Sequence, residues 1–293
     1  MAPLLETEVW ADYRGGKAVL NGVRLEIEPG ETVALIGQSG SGKSTFALAI
    51  LRLLDWKGGK VRGKIQFQGK DLTSASEREM RSVRGKDIAL ILQSAASALN
   101  PMLRIGVQFE EAWKAHSREA WKTTGLRKAS QLLCEVDLRP EEILARYPRE
   151  ISLGQAQRVL IAMSLLHDPK LLLADEPTSA LDVIVQKEVL DLIRRMTASR
   201  RMATLFISHD LLSVAALCDR VAILHHGAIV ECAATPEIFA HPKHAYSQKL
   251  IGALPVRPQF DSESEASSLV ALAESTGFAG QPEPAHVKAT SIR

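Results

Sequence analysis

Gly37-Gln38-Ser39-Gly40-Ser41-Gly42-Lys43-Ser44-Thr45 decides the fold of this chain. Gly37, Gly42, Lys43 and Ser44 fit the phosphate-loop pattern G-x-x-x-x-G-K-[ST]. Glycines let the backbone wrap tightly enough for successive N–H groups to face phosphate oxygens. At this spacing Lys43 reaches the β- and γ-phosphates, and the Ser44 hydroxyl can ligate Mg2+. Thr45 opens the next helix, whose N-terminus adds N–H groups and the positive end of its dipole. Both flanks agree with this reading. Thr32–Ile36 predicts a buried strand and Phe46–Leu54 an apolar helix, which a chance glycine-rich turn would lack.

Upstream, residues 5 to 36 are β-rich, and Val23–Ile27 alternates apolar and polar residues as a half-buried strand does. Pro29-Gly30 marks the turn before the loop's strand. Lys64–Gln68 alternates again and belongs to the same antiparallel layer. Ile88–Leu92 is an unbroken apolar run, which suits a strand buried on both faces, and it ends at Gln93. From about 94 to 162 helical spacing replaces strand signals, notably over Ile105–Ala115 and Leu126–Val136, with breaks at Pro101, Pro140 and Pro148. This predicts a helical subdomain inserted between core strands. Strand runs then return at Lys170–Ala174, Ala203–Ile207 and Val221–Leu224. Helical patterns over Val183–Met196 and Leu211–Leu217 separate them. Such βαβαβ alternation predicts a parallel sheet, closed by a hairpin through His226-Gly227 into Ala228–Glu231.

The 293 residues carry a net charge of +2, too near neutral for the basic footprint of a nucleic-acid binder. Cys134, Cys218 and Cys232 show no metal or disulfide spacing, as expected in a reducing compartment. Glu6 and Glu8 argue against a secretory leader, and no apolar run approaches a membrane span. Any membrane association is therefore expected through a partner. From Pro255 to Arg293 the chain is rich in Ser, Ala, Glu and Pro, which predicts a disordered tail with a short helix near Ser267–Glu274.

A second constellation complements the loop. Leu171–Ala174 delivers Asp175 and Glu176 at the carboxyl end of a buried strand, the edge where open α/β sheets bind ligands. Asp175 can hold Mg2+, and Glu176 sits where it can polarise an attacking water. Read alone, the pair is an acidic helix cap. Read with the loop upstream, it is a hydrolytic site.

Taken together these residues resemble the nucleotide-binding subunit of an ABC transporter. Gly37–Thr45 is similar to Walker A, Gln93 to the Q-loop glutamine, and Ile151–Arg158 to the signature motif. Leu171–Glu176 is similar to Walker B with its glutamate, Ser179–Asp182 to the D-loop and Ile207–Asp210 to the histidine switch. Ala98–Met102 and Ala240–Tyr246 resemble the dipeptide, oligopeptide and nickel importer branch. The cysteine cluster that some members of the branch carry has no counterpart after Cys232.

The resemblance implies an α/β P-loop NTPase core with an N-terminal antiparallel β layer, the inserted helical subdomain, and an ATP-binding domain over residues 1–254 ending in an extension from about 236. It implies ATP and Mg2+, with Glu176 as base, His209 sensing the γ-phosphate, and Gln93, Ser44 and Asp175 at the metal. Tyr13 would stack on adenine, with Trp10 as the alternative. Ser152, Gly154 and Gln155 would complete the site on a second, heterologous ATP-binding subunit. Two membrane-spanning permeases and a solute-binding protein would finish the assembly on the cytoplasmic face of a bacterial inner membrane. The alternative is an ATPase in a soluble complex, such as one processing phosphonates.

Leu153 stands where the family's L-S-G-G-Q pattern has its first glycine. Leucine lacks glycine's access to positive φ and adds bulk, so an asymmetric pair of sites is expected.

Overall fold

The computed structural model describes residues 2–13, 17–254 and 258. All but Pro258 lie in a unit ending at Arg257, and the predicted disordered tail with its short helix otherwise lies outside the described residues.

Two sheets organise this unit. The first holds β1 (Leu5–Tyr13), β2 (Lys17–Ile27), β4 (Gly59–Phe67) and β5 (Lys70–Asp71) in the order β2-β1-β4-β5, each pair antiparallel. The period of two sends Leu5, Thr7, Val9 and Ala11 inward along β1. The second sheet holds β3 (Thr32–Ile36), β6 (Ile88–Ile91), β7 (Leu171–Asp175), β8 (Ala203–Ile207), β9 (Arg220–His225) and β10 (Ala228–Ala234) in the order β10-β9-β3-β8-β7-β6. Its pairings are parallel except β9 with β10, the predicted hairpin.

Every residue of β7 and β8 is buried, which explains their unbroken apolar runs. Alternate residues serve separate cores. Val33, Leu35, Leu205 and Ile207 pack toward the antiparallel layer, while Ala34, Ile36 and Phe206 pack toward the C-terminal helices. β6 ends one residue earlier than predicted. It is an edge strand, and Leu92 beyond it is 40% exposed.

Helix α1 (Lys43–Ile50) follows the phosphate loop, and α2 (Glu77–Val83) precedes β6. Between β6 and β7 lie α3 (Ala95–Ala98), α4 (Ile105–His116), α5 (Leu126–Glu135), α6 (Pro140–Ile143) and α7 (Leu153–Ser164). Phe109, Leu132, Leu133 and Val159 make their own core against Ala89, Ile91 and Leu172 of the sheet. Helices α8 (Val183–Arg200) and α9 (Leu211–Leu217) are the crossovers, and α10 (Thr235–Ala240) and α11 (Ala245–Gly252) follow β10.

The structure corrects the predicted helix Phe46–Leu54. It starts at Lys43 behind a left-handed Gly42 and stops at Ile50. Arg52 turns to φ 51 and breaks the repeat, and the carbonyls of Leu51 and Arg52 accept from the Arg84 guanidinium at 2.7 and 3.3 Å. A side chain just past the far end of α2 thus supplies a donor to each of the two carbonyls that follow the helix.

Candidate active site

Parallel register brings the strand ends to one edge. Leu35 and Asp175 both align with Ile207, Ile91 with Ala174, and Ile36 with Ile223. The segments leaving β3, β6, β7, β8 and β9 therefore emerge side by side.

The loop leaving β3 is shaped by two glycines with no room for a side chain. A Cβ on Gly37 (φ 153) would sit 2.2 Å from the Leu224 carbonyl oxygen, and one on Gly42 (φ 110) would sit 2.8 Å from Leu20 Cδ2. Ser41 N–H closes a turn onto the Gln38 carbonyl at 3.2 Å. The Lys43 ammonium is buried and donates to the carbonyls of Gly37 (2.8 Å) and Gln38 (3.1 Å). Burial lowers its pKa, opposed by the nearby carboxylates of Glu176 and Asp175. Ser41 Oγ is buried and has no hydrogen-bond partner among the described residues.

Ser44, in the first turn of α1, donates to Asp175 Oδ1 at 3.1 Å. Burial raises the Asp175 pKa, opposed by that hydrogen bond and reinforced by Glu176. Hydroxyl and carboxylate oxygens are the hard donors that suit Mg2+, so the pair fits that ion.

Glu176 takes φ 47, a left-handed conformation that costs a side-chain-bearing residue about 1–2 kcal/mol. Its N–H donates to the Ile207 carbonyl at 2.9 Å, which holds the turn against β8. Both carboxylate oxygens are engaged. Oε2 accepts from Gln93 Nε2 at 3.0 Å, and Oε1 lies 3.3 Å from His209 Nδ1. Residues beyond the ends of β6 and β8 thus converge on the one carboxylate that follows β7. The His209 turn is itself braced: Asp210 N–H donates to Ser208 Oγ, and Asp210 caps α9 while accepting from Gln186 of α8 at 3.1 Å. Gln93 turns its amide nitrogen to Glu176, and no hydrogen bond links it to Ser44 or Asp175 among the described residues.

The residues predicted to serve a second subunit lie apart. Ser152 caps α7, accepting from Gln155 N–H at 3.2 Å, and Gln155 Oε1 accepts from Ser152 N–H at 3.0 Å. No hydrogen bond joins them to the loop or to Glu176 among the described residues. Gly154 has a reason within the chain, because a Cβ there would meet Val185 of α8 at 2.8 Å. Leu153 is the first residue of α7 and is absent from the positive-φ residues. The conformational objection to leucine therefore falls away, and what remains is a side chain 38% exposed.

Of the two aromatic candidates, the Trp10 ring crosses Gly22 and Gly63, whose added Cβ atoms would meet it at 3.1 and 3.0 Å. Tyr13 instead reaches the loop's end, its hydroxyl 3.4 Å from Thr45 Oγ1. Sequence reasoning overlooked Tyr246 of α11, whose hydroxyl accepts from Gln38 N–H at 3.0 Å. The stretch around it stood out as a branch resemblance, but no spacing signal ties residues 208 positions apart.

A phosphate loop, a hydroxyl–carboxylate pair and an engaged second carboxylate at the carboxyl edge of a parallel sheet define a nucleotide-binding P-loop core. The family model described as ABC transporter matches residues 20–179. The chain is 42% identical over 245 residues to the oligopeptide transport ATP-binding protein OppD of Bacillus subtilis (strain 168), covering 83% of this chain and 68% of that one. It is 39% identical over 244 residues to the dipeptide transport ATP-binding protein DppD of the same organism, covering 83% and 73%. Among solved structures, a dimeric post-hydrolysis state of the ATP-binding cassette MJ0796 bound to ADP and Pi superposes with a TM-score of 0.69 at 25% identity, covering 79% of this chain and 98% of that one. The chain belongs to the ABC transporter family, and it is an ATPase of that family.

Proposed function

We propose that this chain is the ATP-hydrolysing subunit of an importer of short peptides or similar small solutes. The observation that carries the hydrolytic part is the convergence of Gln93 and His209 on Glu176, beside the phosphate loop. The names of the relatives support the transport part.

In this reading Gly37–Thr45 cradles the phosphates of ATP, Lys43 binds the β- and γ-phosphates, and Tyr13 stacks on adenine. Ser44 and Asp175, with Gln93 nearby, hold Mg2+. Bound there, Mg2+ neutralises charge on the phosphate oxygens. Glu176 takes a proton from the attacking water, while Gln93 and His209 keep its carboxylate aimed and His209 reads the γ-phosphate.

Ser152, Gly154 and Gln155 sit at the start of α7, where Gly154 faces Val185 in the first turn of α8, whose Val183 and Ile184 are 82% and 74% exposed. A second, paralogous ATP-binding subunit docks here and receives that helix end at its own ATP. Among the described residues no helix is long and apolar enough to cross a membrane, so the reading places two permease subunits and a solute-binding protein alongside. The location is the cytoplasmic face of a bacterial inner membrane.

The test is reconstitution with those permeases in proteoliposomes, supplied with the solute-binding protein. ATP-dependent uptake of short peptides is expected. Co-purification with soluble enzymes and no uptake would overturn the reading. In the same assembly Leu153→Gly is expected to raise ATP turnover by removing bulk from the site that this chain lends. Unchanged ATPase and transport would remove the asymmetry.

A further inference from the structure

The C-terminal extension reaches into the phosphate loop through one atom, the Tyr246 hydroxyl. The peptide between Gly37 and Gln38 is trans, so its carbonyl and its N–H point in opposite directions. The carbonyl side, Gly37 O, accepts from Lys43 Nζ at 2.8 Å. The N–H side, on Gln38, donates to Tyr246 Oη at 3.0 Å. A single peptide plane is therefore gripped at both edges, by the loop's lysine on one side and by α11 on the other.

This peptide needs such a grip. The Leu224 carbonyl demands glycine at position 37, and glycine restrains the adjoining peptide less than any other residue. Tyr246 itself is anchored to the sheet. Its ring stacks on His225, centroids 3.8 Å apart and planes 17° apart. His225 ends β9, which pairs in parallel with β3, the strand feeding the loop. Glu231 of β10 accepts from the N–H groups of Lys243 (2.8 Å) and His244 (2.9 Å), and His244 Nδ1 accepts from Tyr246 N–H at 3.1 Å. The hydroxyl is thus held by elements that do not depend on the loop.

We infer that Tyr246 is a positioning residue of the ATP site: it fixes the Gly37–Gln38 peptide plane and, through the Gly37 carbonyl, the place from which Lys43 meets phosphate.

The test compares Tyr246→Phe and Tyr246→Ala in the full chain, reading Mg·ADP affinity by calorimetry, ATPase kinetics and thermal midpoint. Phenylalanine keeps the stack on His225 and removes only the hydroxyl. Tyr246→Phe is expected to weaken Mg·ADP binding and raise the KM for ATP by about three- to tenfold, the net worth of one hydrogen bond, with kcat changed less than about twofold. A merely structural role would lower the midpoint and leave nucleotide affinity alone, which would overturn the inference. It would equally be overturned if Phe matched the native chain while Ala was impaired, since ring packing would then account for the effect.

Discussion

Glu176→Gln is expected to bind ATP as the native chain does and to hydrolyse it about 10²- to 10⁴-fold more slowly, the range that a positioned general base contributes. The amide has the shape of the carboxylate and can still meet the Gln93 amide nitrogen, which donates to Glu176 Oε2 at 3.0 Å. The left-handed backbone at position 176 and its N–H bond to the Ile207 carbonyl are untouched by the change. The phosphate loop leaves a different strand, β3, and the Ser44–Asp175 hydrogen bond does not involve the Glu176 side chain, so binding has no reason to fall. What disappears is the acceptor for a proton. Single-turnover hydrolysis alongside nucleotide affinity separates the two effects. Turnover at the native rate would take Glu176 out of the role of base. A matching loss of affinity would make its contribution one of binding.

The phosphate loop was legible because its chemistry is local. Glycine positions, Lys43 and Ser44 lie within nine residues, and the flanking strand and helix declare themselves by apolar pattern. β7 and β8 were equally plain, since burial on both faces leaves Asp175 and Thr204 as the one polar residue in each. The contacts that assemble the site were not visible in this way. Gln93 and Glu176 lie 83 positions apart, and only the parallel register of β6 with β7 makes them neighbours. Resemblance to a family named both residues and His209, but nothing in their spacing says that the three share one carboxylate. The end of α1 was misread for a related reason. The two carbonyls just past it, of Leu51 and Arg52, are satisfied by Arg84, more than thirty residues onward, and a helix pattern cannot show a partner supplied from outside. Leu153 is the converse case. Judged by its motif it is a glycine replaced, yet in the fold it is an ordinary first residue of α7.

Gly37→Ala is expected to abolish measurable nucleotide binding and to lower the thermal midpoint, whereas Gly40→Ala in the same loop leaves binding within about tenfold of native. Both glycines have positive φ, 153 at Gly37 and 77 at Gly40, so both substitutions carry a conformational penalty, about 1–2 kcal/mol for a left-handed residue. They differ in what the new methyl meets. At Gly40 nothing lies within 4 Å. At Gly37 the Cβ would stand 2.2 Å from the Leu224 carbonyl oxygen and 3.0 Å from Ser41 Oγ. The first neighbour is backbone of a central strand, paired with β3 and unable to yield, so the loop must move instead. Overpacking of this kind adds about 1–3 kcal/mol. A domain with about 5–15 kcal/mol of stability survives that total and stays folded. The loop does not keep its geometry, because the Gly37–Gln38 peptide carries the carbonyl that seats Lys43 and the N–H that meets Tyr246. Displacing one plane therefore disturbs both grips and the lysine's approach to phosphate. Calorimetry with Mg·ADP and thermal unfolding on the two variants decide the matter. Equal affinities for Gly37→Ala and Gly40→Ala would show that the Leu224 carbonyl is no steric limit on the loop.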